Sequence, residues 1–576
     1  MMRYLFATAL LFLSGLEPSA AFAARPIQSR PIEIQILAFN DFHGNIESPK
    51  LTVPARDSRG GDVAVPAGGV AYLAGALENL RKGHRYTTTV SAGDLIGASP
   101  LASAYFLDEP TVHAMNALQL DLNAVGNHEF DRGSSELLRI QRGGCQRYTR
   151  RVPCALEPFP GAHFRFLAAN VLKDDGRTLF PATAIRRFGP VKIGFIGMTL
   201  KETATLVTPS GVAGLHFADE AATANALVPK LKAEGADTIV LLIHQGGALT
   251  GRYDDPACPG LNGGIMPILD KLDPRIALVV SGHTHNAYIC EVPERGGGKR
   301  LLTSAGKYGT LLTDIRLRFT RRGHRLLGRS ARFHIVQGEG FTSQSGTFPM
   351  TRKMPVDRAD PLVAAIVQRY VSAARPIGDR IVAHLPGPIR AKADANGELA
   401  LGEVIADAQL AWAKSHGGAQ IAFMNGGGVR TDLVPAPDGR ITFAQIFALQ
   451  PFGNGLVVQS LTGAQLSQLL EQQFVNGDLL SPSAGFAFAY DASRPEGQRV
   501  VSATLDGKRI DAAATYRVVT NSFMASGGDN YSVLRLGVDR QDVGVDVDAL
   551  EAYLASGRME PVGGRVTKAV VPVKTP

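Results

Sequence analysis

From residue 32 onward, apolar residues fall into two kinds of segment that alternate along the chain. Short runs such as "IEIQILAF", "TIVLLI" and "IALVVS" are rich in β-branched residues and too short for helices, so they predict buried strands. Longer segments such as "GGVAYLAGALENLRKG" and "ATANALVPKLKAEG" carry apolar residues at helical spacing and end at glycine. Strands interleaved with helices predict an α/β class built in packed layers. The rhythm breaks at the proline-rich, basic "GTFPMTRKMPVDRADP" and resumes with the helix-like "PLVAAIVQRYVSAARPIGD". Beyond it come the predicted helices "GELALGEVIADAQLAWAKSHGG" and "TGAQLSQLLEQQF" and the strands "GLVVQSL", "FAFAYDA" and "TYRVVTN". No internal repeat relates the halves, which predicts two different folds. The expected division is a first unit over 24–350, a linker with a connecting helix over 351–379, and a second unit over 380–576.

At 576 residues the chain exceeds what one hydrophobic core organises, in agreement with two units. Its 45% apolar and 19% charged residues are those of a folded protein and exclude a disordered one. Residues 1–23 combine a basic residue, an apolar run and the small-residue cleavage pattern "AFA", and read as a secretory signal. Glu17 and Pro18 interrupt that run short of the ~20 apolar residues a membrane span needs. The expectation is an exported, periplasmic or extracellular protein with no transmembrane segment in the mature chain. Four cysteines fit an oxidising compartment and allow three pairings, of which the local one, Cys145–Cys154 with Cys258–Cys290, is expected. The net charge of +8 is prominent in "RIQRGGCQRYTRR" and in "DIRLRFTRRGHRLLGRSARFHIV", which reads as a charged hairpin. Neither interleaves aromatic residues, so no nucleic-acid polymer is expected as a partner. No pattern predicts an oligomeric state.

The chemistry is concentrated just beyond the C-terminal end of each strand in the first unit. "IEIQILAFN" is followed by Asp41 and His43, "YTTTVSAG" by Asp94, "LNAVG" by Asn127 and His128, "TIVLLI" by His244, and "IALVVSG" by His283 and His285. A single histidine beside an apolar run is ordinarily a hydrogen-bonded structural residue, but five such endings predict convergence on one edge of a sheet. Imidazole nitrogens with carboxylate oxygens, and no thiolates, suit Zn²⁺, Mn²⁺, Co²⁺ or iron. Seven candidates, Asp41, His43, Asp94, Asn127, His244, His283 and His285, are too many for one ion. Two ions about 3.5–4 Å apart sharing a carboxylate fit better, with Asp94 as the bridging candidate. Such a pair serves phosphoester hydrolysis. In "GNHEFD", His128 is left over as a cationic group for the reacting phosphate, with Asp131 to orient it; Glu129 has no assigned role.

The second unit contributes "NGGGVR", "QPFGNGL" and "NSFMASGGDNY". Their glycines permit close backbone approach, and Arg430 has the fork geometry for a phosphate or carboxylate. Phe452 and Phe523 are placed to sandwich a flat ring, with Asn454 and Asp529 as hydrogen-bonding partners.

Together "NDFHGN", "SAGDLIGASP", "AVGNHEFD", "IHQGG" and "SGHTH" resemble the calcineurin-like metallophosphoesterases, in the branch of secreted 5′-nucleotidases and UDP-sugar hydrolases. The resemblance implies a layered α/β/β/α metallophosphoesterase domain followed by a distinct α/β substrate-binding domain that rotates about a hinge. It assigns Asp41, His43, Asp94 and His285 to one ion, and Asp94, Asn127, His244 and His283 to the other. It makes His128 and Asp131 a catalytic dyad and assigns Arg430, Phe452, Asn454, Phe523 and Asp529 to the nucleotide. The implied activity is hydrolysis of nucleoside 5′-phosphates, extending to UDP-sugars. A 2′,3′-cyclic-nucleotide phosphodiesterase with 3′-nucleotidase activity and a catalytically inactive nucleotide-binding protein are the alternatives. Two departures stand out. Asn530 replaces the final glycine of the family's "GGDG". A further family arginine ahead of the helix "LGEVIADA" has no clear counterpart, with Arg390 and Lys392 the nearest cations.

Overall fold

In the strand Ile32–Phe39, Ile34, Ile36 and Ala38 face one core while Leu37 and Phe39 face another. The strand Thr238–His244 repeats the pattern: Val240 and Leu242 join Ile34 and Ile36, whereas Ile239, Leu241 and Ile243 point the opposite way. This two-residue period, buried on both faces, is what a sheet sandwiched between layers requires. The structure is a computed structural model that describes residues 30–569 apart from positions 58, 150, 344, 345, 476 and 561. The expected signal segment therefore lies outside the described residues.

The first unit holds two six-stranded sheets. One has the order Leu326–Ile335, Leu311–Phe319, Ile32–Phe39, Thr87–Ser91, Leu122–Ala124, Arg165–Leu167. The other runs Ala287–Pro293, Lys299–Ala305, Ile276–Ser281, Thr238–His244, Val191–Thr199, Thr183–Phe188. Their facing sides share a core that includes Val90, Phe195, Leu278 and Val280. Helices Val70–Arg81 and Glu109–Ala117 cover the outer face of the first sheet, and Glu220–Ala233 with Ile265–Leu269 that of the second. The result is the α/β/β/α sandwich. Phe195 is fully buried at the middle layer, where truncation to alanine costs about 3–5 kcal/mol.

The five strands that carry candidate ligands do not share one sheet, as the sequence pattern suggested. Ile32–Phe39, Thr87–Ser91 and Leu122–Ala124 run parallel in the first sheet, while Thr238–His244 and Ile276–Ser281 run parallel in the second. Each is buried on both faces in its own sheet, and period alone does not say which sheet a strand joins. The basic segment forms the expected hairpin, with Leu311–Phe319 antiparallel to Leu326–Ile335. Both expected disulfides, Cys145–Cys154 and Cys258–Cys290, are present.

In the second unit a five-stranded sheet is covered on one face by the helix Ala400–Gly417, through Val404 and Ile405 against Val458 and Val519. Its other face packs on Gly463–Gln472, through Leu466 and Leu469 against Phe423, Leu461 and Val518. The latter helix begins at a capping box in which Thr462 and Gln465 satisfy each other's backbone N–H groups. The connecting helix Pro361–Gly378 is capped by Asp360 and buries Val363, Tyr370 and Ala374 in the outer core of the first unit. Leu101 and Ala104 of the first unit join a core otherwise built by the second, so the units meet beside the ligand-bearing loops. Among the described residues no helix is long and apolar enough to cross a membrane.

Candidate active site

The structure brings all seven candidate ligands to the adjoining strand ends of the two sheets, in two groups. Asp41, His43 and His285 form one, and Asp94, His244 and His283 the other. His43 Nε2 lies 3.6 Å from Asp94 Oδ2, and His244 Nε2 lies 2.9 Å from the same oxygen, so Asp94 stands between them. Five of the seven have left-handed backbone: Asp41, His43, Asp94, His283 and His285, with φ from 47 to 72°. Asp and His are among the side chains that visit this region most readily, and such residues cluster at functional sites. The conformation is held by hydrogen bonds from Asp41 N to Gly93 O (3.0 Å), His43 N to Asp94 O (2.9 Å) and His283 N to both Asp41 carboxylate oxygens (3.1 and 3.0 Å).

The lone pairs show what the groups are built for. His43 Nδ1 lies 2.9 Å from Gly97 O and His244 Nδ1 lies 2.8 Å from Ala92 O. A carbonyl only accepts, so each Nδ1 carries the hydrogen and each Nε2 faces the centre as a lone pair. His43 Nε2 sits 3.0 Å from His285 Nε2, a contact two lone pairs tolerate only with a cation or proton between them. Asn127 Oδ1 and His244 Nε2 are buried without a hydrogen-bond partner, His244 being off line for a bond to Asp94 despite its proximity. Two divalent cations fit these donors.

Burial pushes the His43 and His285 imidazolium forms well below the usual range and His283 down to about 3, which leaves all three neutral. Burial also penalises charge on Asp94, but His244 and His128 outweigh it and hold the carboxyl well below its ordinary range. Burial pushes Asp41 up to about 7. His244 is the exception among the imidazoles: against burial, Asp94 raises it to about 10, so its Nε2 holds a proton until a stronger cation displaces it.

In "GNHEFD" the division of labour is visible. His128 Nδ1 lies 3.0 Å from each Asp131 oxygen, and its backbone N–H donates to Asp94 Oδ1 at 2.9 Å. Asp131 Oδ2 in turn accepts from Ala98 N at 3.0 Å. Burial lowers the imidazolium of His128, but Asp131 and Asp94 overcome this and raise it above its ordinary value. Glu129, to which sequence reasoning gave no role, fastens the loop of Asp94. Its Oε2 accepts from Asp94 N (2.9 Å) and Gly126 N (2.6 Å), and its Oε1 from Leu95 N (2.8 Å) and Asn123 Nδ2 (3.2 Å). Burial and the Asp94 carboxylate push Glu129 up to about 7, while four donors favour its charged form.

A cavity of about 350 Å³ lies between the units. Asn127, His128 and His283 line it from the first unit; Arg430, Phe452, Asn454, Phe523 and Asp529 line it from the second. The Phe452 ring stacks on His128 at 5.9 Å and 20°, and the Arg430 guanidinium lies 5.8 Å from the Phe452 centroid. Asp529 Oδ2 accepts from Asn425 Nδ2 at 2.7 Å, and burial pushes its carboxyl up to about 6. Ser522 Oγ donates to Asn454 Oδ1 at 3.4 Å. Asn530, in place of a glycine, adopts φ 60°, so the turn keeps its left-handed form. Arg390 does not line this cavity: its guanidinium donates to Asp432 Oδ2 at 2.7 Å, and Lys392 lies off the cavity as well. Sequence reasoning also passed over Asn425, a buried bridge between Asp529 and Asn521 whose signal, an asparagine ahead of three glycines, is indistinguishable from that of a turn.

Residues 34–287 match the family model of the calcineurin-like phosphoesterases, and residues 377–535 that of the 5′-nucleotidase C-terminal domain. The chain is 30% identical over 560 residues to Endonuclease YhcR of Bacillus subtilis, covering 95% of this chain but 42% of that protein, so it spans less than half of that relative. It is 26% identical over 584 residues to the NAD 5′-nucleotidase of Haemophilus influenzae, covering 90% of this chain and 89% of the relative. The crystal structure of a 5′-nucleotidase precursor from Thermus thermophilus superimposes with a TM-score of 0.73 at 25% identity, over 94% of this chain and 100% of that one.

Proposed function

Because the chain belongs to the calcineurin-like phosphoesterase family and carries a 5′-nucleotidase C-terminal domain, we propose that it is an exported hydrolase of nucleoside 5′-phosphates dependent on two divalent ions. The observation that carries this reading is a single cavity joining candidate ligands, the His128–Asp131 pair and two phenylalanines from the other unit. Asp41, His43 and His285 would hold one ion and Asp94, Asn127, His244 and His283 the other, with Zn²⁺, Mn²⁺ and Co²⁺ all compatible. When bound, such a pair neutralises phosphoryl charge and acidifies water. The two disulfides support export.

The protein's own groups do the rest. Phe452 and Phe523 take the base between them, and Asn454 and Asp529 offer acceptors and donors to the nucleoside. Arg430 places a delocalised cation over the phosphate. Asp131 holds the hydrogen on His128 Nδ1 and favours the imidazolium, leaving Nε2–H to donate to a phosphate oxygen as charge develops. With nucleoside on one unit and ligands on the other, the scissile group is excluded from bulk water only where the units meet.

Phosphate release from AMP, 3′-AMP and 2′,3′-cyclic AMP tests the reading. AMP is expected to be preferred; indifference to AMP would refute it, and preference for the cyclic substrate would assign the phosphodiesterase activity instead. His128→Ala is expected to lower kcat by about 10²–10⁴ with metal content unchanged. Chelation should abolish turnover, and add-back of single metals should identify the ion.

A further inference from the structure

Arg430 lines two cavities. Besides the one already described, a second, of about 510 Å³, lies between the units on the Asp41–His43–His285 side. Tyr308 forms its inner wall: its ring lies 5.9 Å from the rings of both His43 and His285, and its N–H donates to Asp41 O at 2.8 Å. The second cavity therefore abuts one ligand group and the first cavity the other, with Arg430 common to both.

The charges in this cavity are unbalanced. Lys50, Lys307 and Arg430 line it together with Glu47 and Asp432, and Asp432 is already paired with Arg390. Among the described residues neither Lys307 nor Arg430 forms an ion pair with a carboxylate, although both are half-buried. Half-buried cations without a partner are costly unless an anion visits them. The inner end, with Lys307 and Arg430 beside the ligand group, suits a phosphate. The outer end, with Glu47, Ser48 and Lys50, offers donors and acceptors for hydroxyl groups.

We propose that this second cavity binds the distal half of nucleoside diphosphates whose β-phosphate carries a polar, sugar-like group, with Lys307 and Arg430 on that phosphate. The proposal rests on the 5′-nucleotidase reading. The nucleoside occupies the first cavity, the diphosphate crosses the ligand groups, and the sugar-like group reaches Glu47 and Lys50. Water adds across one P–O bond of the bridge: its oxygen bonds to one phosphorus and the bridging oxygen leaves on the other. Two monoesters form, and the water protons pass to solvent. A nucleoside monophosphate uses only the first cavity.

The test compares kcat/KM for UDP-glucose and UMP in the metal-loaded, full-length protein and in Lys307→Ala and Lys307→Arg. The wild type should yield UMP and glucose 1-phosphate from UDP-glucose. Lys307→Ala should lower the ratio of kcat/KM for UDP-glucose to that for UMP about tenfold, the scale of one charge-assisted hydrogen bond, and Lys307→Arg should restore most of it. UMP turnover by the same preparations reports that each variant is folded. An equal loss on both substrates, or a wild type that hydrolyses UMP but not UDP-glucose, overturns the proposal alone. A wild type inert toward both overturns the 5′-nucleotidase reading with it.

Discussion

Replacing Glu129 with glutamine tests whether this buried carboxylate sets the loop of Asp94. The carboxylate accepts two hydrogen bonds on each oxygen, all from donors: Asp94 N and Gly126 N on one, Leu95 N and Asn123 Nδ2 on the other. A glutamine amide is nearly the same size but has one acceptor and one donor end. Whichever way it is turned, two N–H donors meet an NH₂ group and lose their acceptor. A buried donor left unsatisfied costs about 1–3 kcal/mol, so the substitution should loosen the loop by roughly 2–6 kcal/mol. Domain stabilities run to about 5–15 kcal/mol, so the variant should still fold. Hydrogen exchange of the Asp94, Leu95 and Gly126 amides is the direct assay, and even the lower figure predicts exchange about 30-fold faster. Metal retention after dialysis should fall in parallel. Protection and metal content both equal to the wild type would refute the argument.

Gly126→Ala should be more severe, because a Cβ there would lie 2.2 Å from Asp94 Oδ1 and 2.5 Å from Asp94 N; the purified variant should lack metal, and retention of both ions would contradict this. Phe523→Ala should raise KM for AMP about tenfold with little change in kcat, whereas Phe452→Ala, which removes the ring stacked on His128, should change both, as steady-state kinetics will show. Burial pushes Asp529 up to about 6, so the group is charged above that pH and neutral below it. KM for AMP should therefore rise as pH falls from 7 to 5 in the wild type, and Asp529→Asn should flatten that dependence.

Much of this site was legible in the sequence, for physical reasons. A strand buried on both faces is a short continuous apolar run, so polar residues at its end are conspicuous, and Asp41, Asp94 and His244 stood out for that reason. Phe452, Phe523 and Arg430 were legible through the glycines around them. Glu129 was not, because its partners are mainly backbone N–H groups, which leave no trace in residue type. The distribution of the ligand strands over two sheets was equally hidden. The second cavity was invisible because Lys307 and Arg430, 123 positions apart, become neighbours only when the two units meet.

The left-handed backbone at Asp41, His43, Asp94, His283 and His285 dictates how the centre is to be dissected. Alanine at any of these positions deletes the ligand but keeps a Cβ in a conformation costing about 1–2 kcal/mol. Glycine deletes the same ligand and releases that strain. The difference between the two variants at one position thus separates what a side chain gives to the ions from what the ions hold in place in the main chain, and an alanine scan alone would merge the two.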